Sequence, residues 1–194
     1  MKKIFIFLVV ILAFNSKSNA QGLCSNNNCN NPYEQFVEFT ENNPLVLKTG
    51  CEVTNLTVFY KVCQDGSCNF RFTPPQLPPD CEDYYNDPGQ FLDDIMEAIL
   101  ETMSYACKPT RLNDCKENIE FYLSSCWKWD GIIPIDPNDP QPTLIPCEDS
   151  GCCRIIWQVC KVSENPDVFE AVKTLEQEVT SCTPSEDCLL IICE

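Results

Sequence analysis

The chain has 194 residues, 44% of them hydrophobic, with a formal net charge of −16, sixteen cysteines and no histidine. The missing imidazole excludes Ser-His-Asp and Cys-His catalysis as usually built, and with them the common histidine-rich zinc hydrolase sites. The acidic balance makes nucleic acid and anionic membrane surfaces poor partners, because both repel it.

Residues 1–20 read as a secretory leader. Lys2 and Lys3 supply the positive start, Ile4 to Phe14 is an apolar run too short to anchor in a bilayer, and Ser18-Asn19-Ala20 places small residues before a cut ahead of Gln21. Loss of Lys2, Lys3 and Lys17 with that leader moves the charge from −16 to −19. The expected product is secreted, extracellular or at the cell surface, with no membrane insertion. Residues 21–194 are expected to form a single disulfide-stapled domain.

All sixteen cysteines lie beyond the leader, and their even number in an exported chain favours up to eight disulfides. Four pairs share a Cys-x4-Cys spacing: Cys24/Cys29, Cys63/Cys68, Cys147/Cys152 and Cys188/Cys193. Turn residues fill two of these loops, Gln64-Asp65-Gly66-Ser67 and Glu148-Asp149-Ser150-Gly151. A four-residue hairpin loop sets its flanking residues opposite each other, which predicts the bonds Cys63–Cys68 and Cys147–Cys152. Cys188 and Cys193 flank Leu189 to Ile192, a strand-like run that would hold them apart. The neighbours Cys152 and Cys153 face opposite sides of a strand and so take different partners. The remaining expected half-cystines are Cys24, Cys29, Cys51, Cys81, Cys107, Cys115, Cys126, Cys153, Cys160, Cys182, Cys188 and Cys193. No Cys-x-x-Cys occurs. That argues against a thioredoxin-like centre, a zinc ribbon, a c-type haem and the usual ferredoxin clusters.

In chain order, Thr54 to Cys63, an Asp-Gly turn and Cys68 to Thr73 predict a β-hairpin. The proline stretch from Pro74 to Pro79 is extended and stiff. Asn86-Asp87-Pro88 then offers a cap and a first-turn proline for a helix, with Phe91, Ile95, Met96, Ile99, Met103 and Cys107 along one face. A further helix is expected over about Asp114 to Trp129. A second proline-rich connector leads to a second hairpin, Thr143 to Cys147 with Cys152 to Val162. Asn165-Pro166-Asp167 opens another expected helix, with Phe169, Val172, Leu175 and Val179 in register and Cys182 at its end. A short strand, Leu189 to Cys193, closes the chain. The class is α+β, built of small disulfide-rich units of hairpin plus helix. The repeated order in residues 51–107 and 143–193 reads either as an internal duplication or as coincidence, with helix 114–129 between the halves. The apolar stripes are expected to be core.

Little positive chemistry remains. An acidic pair could support a histidine-free carboxylate hydrolase such as a glycosidase. Trp127, Trp129 and Trp157 suit core packing better than a sugar-stacking platform, and Trp127 and Trp129 share a face only if extended. Calcium is the one cofactor with any support, from Asp130, Asp136, Asn138 and Asp139 in an irregular loop that its prolines would fix without an ion. Asn55-Leu56-Thr57 is a glycosylation acceptor triplet. The leading expectation is a non-catalytic structural or recognition protein. It would be a surface, matrix or filament subunit or a binding module, partnered by itself or by another extracellular protein.

Overall fold

The computed structural model describes residues 29, 31–102, 105–132, 140–148, 151–185, 188–190 and 192–193. The expected leader, Cys24 and Met103 lie outside them. The class is α+β, as the sequence predicts. A six-stranded mixed sheet carries one long helix against one face, and a three-stranded sheet stands beside it.

The strands of the large sheet run in the spatial order β1 (Glu34–Phe39), β4 (Leu56–Val62), β5 (Cys68–Phe72), β6 (Cys115–Leu123), β9 (Cys152–Glu164), β10 (Asp167–Thr180). Every neighbouring pair is antiparallel except β5 with β6. The small sheet has the order β11 (Leu189–Leu190), β7 (Cys126–Asp130), β8 (Thr143–Pro146), and β2 (Leu45–Val46) pairs with β3 (Glu52–Val53).

The β4–β5 hairpin forms where the sequence puts it. Asp65 accepts the Ser67 backbone N–H at 3.0 Å, and Gly66 supplies the positive φ of +82° that closes the turn. The helix α1 (Pro88–Thr102) also forms as expected. Asp87 caps it by accepting the Gln90 N–H at 3.0 Å, and Pro88 occupies the first turn. Its stripe of Phe91, Ile95, Met96 and Ile99 is fully buried. It packs in one cluster with Val58, Phe70, Phe72, Ile119, Phe121, Ile155, Trp157 and Val159 from the large sheet. That cluster draws on both candidate halves of the chain.

Two expected helices are strands instead. Residues 114–129 form β6 and β7, broken at the buried Ser124 and Ser125. Ile119, Phe121 and Leu123 enter the core at period two, the spacing of a strand rather than of a helix. The segment after Asn165-Pro166 is β10, which returns along β9 in a long antiparallel hairpin. The second hairpin, Thr143 to Val162, does not form either. β8 pairs with β7 and β9 pairs with β6 and β10, so the chain changes sheet between them. Among the described residues, the second half holds no helix to match α1. Of the closing strand, Leu189 and Leu190 form β11. Gly151, at this change of sheet, has no substitute: a Cβ there would lie 2.6 Å from the Thr180 carbonyl oxygen.

The predicted hairpin bonds are corrected. Cys63 bonds Cys29, Cys68 bonds Cys107 and Cys147 bonds Cys188. The reason is a register of one residue. Val62 stands opposite Cys68, while Cys63 donates its N–H to the Ser67 carbonyl at 2.8 Å. The loop therefore has three residues rather than four, and the two cysteines point to opposite faces of the hairpin. Further bonds join Cys51–Cys81, Cys115–Cys160, Cys126–Cys182 and Cys153–Cys193. Cys152 is also bonded, and not to Cys153, so the neighbours do take separate partners. No free thiol exists among the described residues.

The seven bonds between described residues close sequence separations of 30 to 56 residues. Loops of that length each correspond to about 4 kcal/mol of lost unfolded-state entropy in the chain-entropy model. Cys68–Cys107 pins the start of β5 to the loop beyond α1. Replacing both by serine is expected to lower the unfolding free energy by about 2–4 kcal/mol in urea titrations of the otherwise oxidised protein.

Candidate functional site

Four surfaces of the molecule bear on function. The first is the face of the large sheet turned away from α1. Its register alternation sends Lys61, Asn69, Arg71, Glu120 and Arg154 to this side, opposite the core-facing Phe70, Phe121 and Ile155. Glu120 is buried and ion-paired with Arg154. That hydrogen bond holds the Arg154 pKa above its ordinary value. Tyr33 lies over both cations, 4.6 Å from Lys61 Nζ and 4.3 Å from the Arg71 guanidinium carbon. Burial pushes the Tyr33 phenol up and the Lys61 ammonium down, with Arg71 opposing the first shift and adding to the second. Three cations thus gather on one face of a strongly acidic chain. A cleft of about 570 Å³ beside them is lined by Asp65, Ser67, Lys116, Glu117, Glu120 and Arg154 among others.

The second surface is a cleft of about 560 Å³ whose walls include Glu41, Glu52, Asp80, Asn55, Gln76 and Gln141. Asn55, the glycosylation acceptor, is exposed at its rim. It sits in the left-handed region at φ 56° and donates to Gln76 Oε1 at 3.2 Å.

The third is a groove of about 470 Å³ that includes Tyr85, Trp127, Trp129, Lys128 and Asp130. The segment is a strand, so Trp127 and Trp129 share a face, and that face turns inward. Trp127 is 1% exposed, with its indole N–H on the Ser124 carbonyl at 2.5 Å. Trp129 stacks on Tyr85 with centroids 5.4 Å apart and donates to the Tyr85 carbonyl at 3.1 Å. Trp157 is buried in the main core. All three tryptophans pack, as the sequence favours.

The calcium expectation rests on Asp130, at the end of β7, and on Asp136, Asn138 and Asp139, which lie outside the described residues. Among the described residues, one trio has ligand-type atoms close together: Cys153, Glu176 and Cys193. Both sulfurs of that trio are joined in a disulfide, so neither is a thiolate able to bind a metal.

The fourth surface was missed by the sequence reading. β10 ends the large sheet, and its outward side pairs with no other described strand. Val172, Leu175 and Val179, expected in a helix core, stand 50%, 47% and 53% exposed, and Val168 is 43% exposed on the same strand. The signal that finds them is their β-branched content on a strand rather than their spacing. A bulge between Lys173 and Leu175 makes the two readings coincide. Val172 lies opposite Gln158 and Leu175 opposite Ile156, so these residues three apart share one face. Behind β10, Lys173 joins Asp93 of α1 at 2.5 Å, and Glu101 of α1 accepts the Ala171 N–H at 3.1 Å.

No family model, curated protein or solved structure matches this chain. No helix of the described residues is long and apolar enough to cross a membrane.

Lys108 marks where α1 meets β10. Its Nζ donates to the Glu101 carbonyl at 2.7 Å and lies 3.8 Å from the centre of the Phe169 ring. Burial lowers its pKa to about 8, against the pull of Glu101 and Asp167. With the folded value depressed, its contribution to stability is full above the unfolded value of 10.5 and is lost as pH falls through about 8. Tyr84, raised to about 12 by burial and by its bond to Asp94, acts oppositely above its unfolded value of 10.0. Thermal unfolding of the oxidised protein is expected to move to higher temperature between pH 8 and 10, then to fall back. Lys108→Met should shrink that rise.

Proposed function

We propose that the protein works outside the cell as a non-catalytic structural or recognition subunit, acting by contact rather than by chemistry. The disulfide framework fits an extracellular protein, since such bonds persist in oxidising compartments. The observation that carries the reading is the aliphatic stripe on the free edge of β10. A row of half-exposed valines and a leucine, on a strand whose outward edge pairs with no other described strand, offers apolar area to a partner, with Glu101 already holding the Ala171 amide.

A photo-crosslinking residue placed at Val172 in the native host tests this. A discrete adduct in the extracellular fraction is expected from that position. None is expected from Val46, which is equally exposed on β2. Absence of an adduct at Val172 would remove the support for a contact role.

The carboxylate cleft favours a second reading, a histidine-free hydrolase acting on a glycan. It gathers Glu41, Glu52 and Asp80 around one space large enough for a sugar ring. On that reading Glu41→Gln, Glu52→Gln or Asp80→Asn abolishes turnover of a responsive glycan. On the contact reading a broad glycan panel yields no turnover to abolish.

A further inference from the structure

We infer that residues 24–28 form a strap across the face of the large sheet turned away from α1, closed at its far end by a Cys24–Cys152 disulfide. The inference is independent of the contact role proposed above. Fourteen of the sixteen cysteines pair with one another in the seven bonds already described. Cys152 is disulfide-bonded too, and none of those fourteen is its partner. Cys24 is the one cysteine left in the chain.

The face itself calls for a cover. Cys153 enters the main core, so its neighbour Cys152 points to the opposite side of β9. There it forms a small buried cluster with Tyr122, separate from the main core. Ile156 and Glu120 are buried on the same side, although α1 packs against the other. Asn69 Oδ1, Arg71 Nε and Arg154 Nε are buried there as well, with no hydrogen-bond partner among the described residues. Buried polar atoms in a folded protein nearly always have a partner. Ser25, Asn26, Asn27 and Asn28 carry a hydroxyl and three amides, which both donate and accept.

The chain is already delivered to the near end of this face. Lys61 points outward from β4, and its Nζ donates to the Cys29 carbonyl at 2.6 Å. Cys29 is bonded to Cys63, just past the end of β4. Cys152 lies towards the opposite end of the sheet, three strands away. The diagonal from Cys63 to Cys152 is roughly 25 Å, from strand spacings of about 4.8 Å and a rise of about 3.3 Å per residue. The step from Cys24 to Cys29 reaches about 17 Å when extended. A disulfide at each end adds about 5–6 Å between Cα atoms, so the span closes with the strap nearly straight. The strap then ties β4 to β9 across the outer side of the parallel β5–β6 pair.

Alkylation of the oxidised chain, unfolded but not reduced, tests the bond. The unchanged protein should yield no labelled thiol. Cys24→Ser should free one thiol, located at Cys152 by mass spectrometry, and Cys152→Ser should free one at Cys24. The double variant should again show none. Should the single variants fail to fold, peptic digestion of the unchanged protein at acid pH should give a fragment that joins Cys24 to Cys152. Free thiols at both positions in the unchanged protein overturn the inference. So does a label on any third cysteine in the variants, a fragment joining either residue to another cysteine, or a second copy linked through Cys152. Nitration by tetranitromethane tests the strap as a cover, since Tyr122 is buried on this face. In the folded double variant Tyr122 should nitrate several-fold faster than in the unchanged protein. Equal protection of Tyr122 without the bond overturns the strap.

Discussion

The parallel pairing of β5 with β6 is the join on which the rest of the molecule depends. It is short, with Cys68, Asn69 and Phe70 set against Ile119, Glu120 and Phe121. It unites an antiparallel unit, β1-β4-β5, with a second one, β6-β9-β10. A parallel pair cannot be joined by a tight turn and needs a crossover. The stiff proline stretch, the 3₁₀ segment Pro79–Tyr85 and α1 form that crossover and bring the helix against the sheet. Aromatic packing reinforces the seam. Phe70 stacks on Phe121 with centroids 5.4 Å apart, and Tyr105 meets Phe70 edge-on at 5.1 Å. Cys68, the first residue of the seam, is itself bonded to Cys107. Placing the long β9–β10 hairpin last in the order makes β10 one edge of the sheet, with β1 at the other.

The same sheet separates two environments. Towards α1 it presents an almost wholly apolar face. Away from α1 it carries Lys61, Asn69, Arg71, Glu120 and Arg154. Charges at such depth persist only when paired, and the Glu120–Arg154 contact and the Tyr33 ring over Lys61 and Arg71 provide that pairing. Removing Arg154 would leave the buried Glu120 carboxylate without its cation and destabilise the fold. The cations therefore belong to the architecture first. They also place three of the chain's thirteen lysines and arginines together on the sheet's outer side.

Legibility in the sequence follows locality. Helix α1 was readable because cap, first-turn proline and apolar stripe all lie within one segment and agree. The β4–β5 hairpin was readable because its turn chemistry is local too. The cysteine pairings were not, because the difference between a four-residue and a three-residue loop reverses the face of Cys63 relative to Cys68. Nothing in Gln64 to Ser67 announces that difference. β6 was misread as a helix although Ile119, Phe121 and Leu123 alternate, since Tyr122 fills the intervening position and blurs the period. β10 was misread more deeply. The spacing of Phe169, Val172, Leu175 and Val179 fits a helix face, and Asn165-Pro166 resembles a helix start. Only the tertiary pairing with β9, through a bulge that no local rule places at Thr174, decides for a strand. The candidate surface was hidden for the same reason: residues assigned to a core in a helix become exposed on an edge.

Bulges ordinarily blunt an edge by interrupting the ladder against which a foreign strand would align. β10 carries one at Thr174, with further register shifts near Val168 and Val179. A regular strand from an unrelated chain meets a mismatch at each of them, and its opposing residues fall out of phase with the valines. The excess of carboxylates on the chain works the same way, repelling acidic strands. The irregularities and the Glu101 carboxylate on the Ala171 amide narrow what can align here, and the aliphatic stripe supplies the attraction that remains.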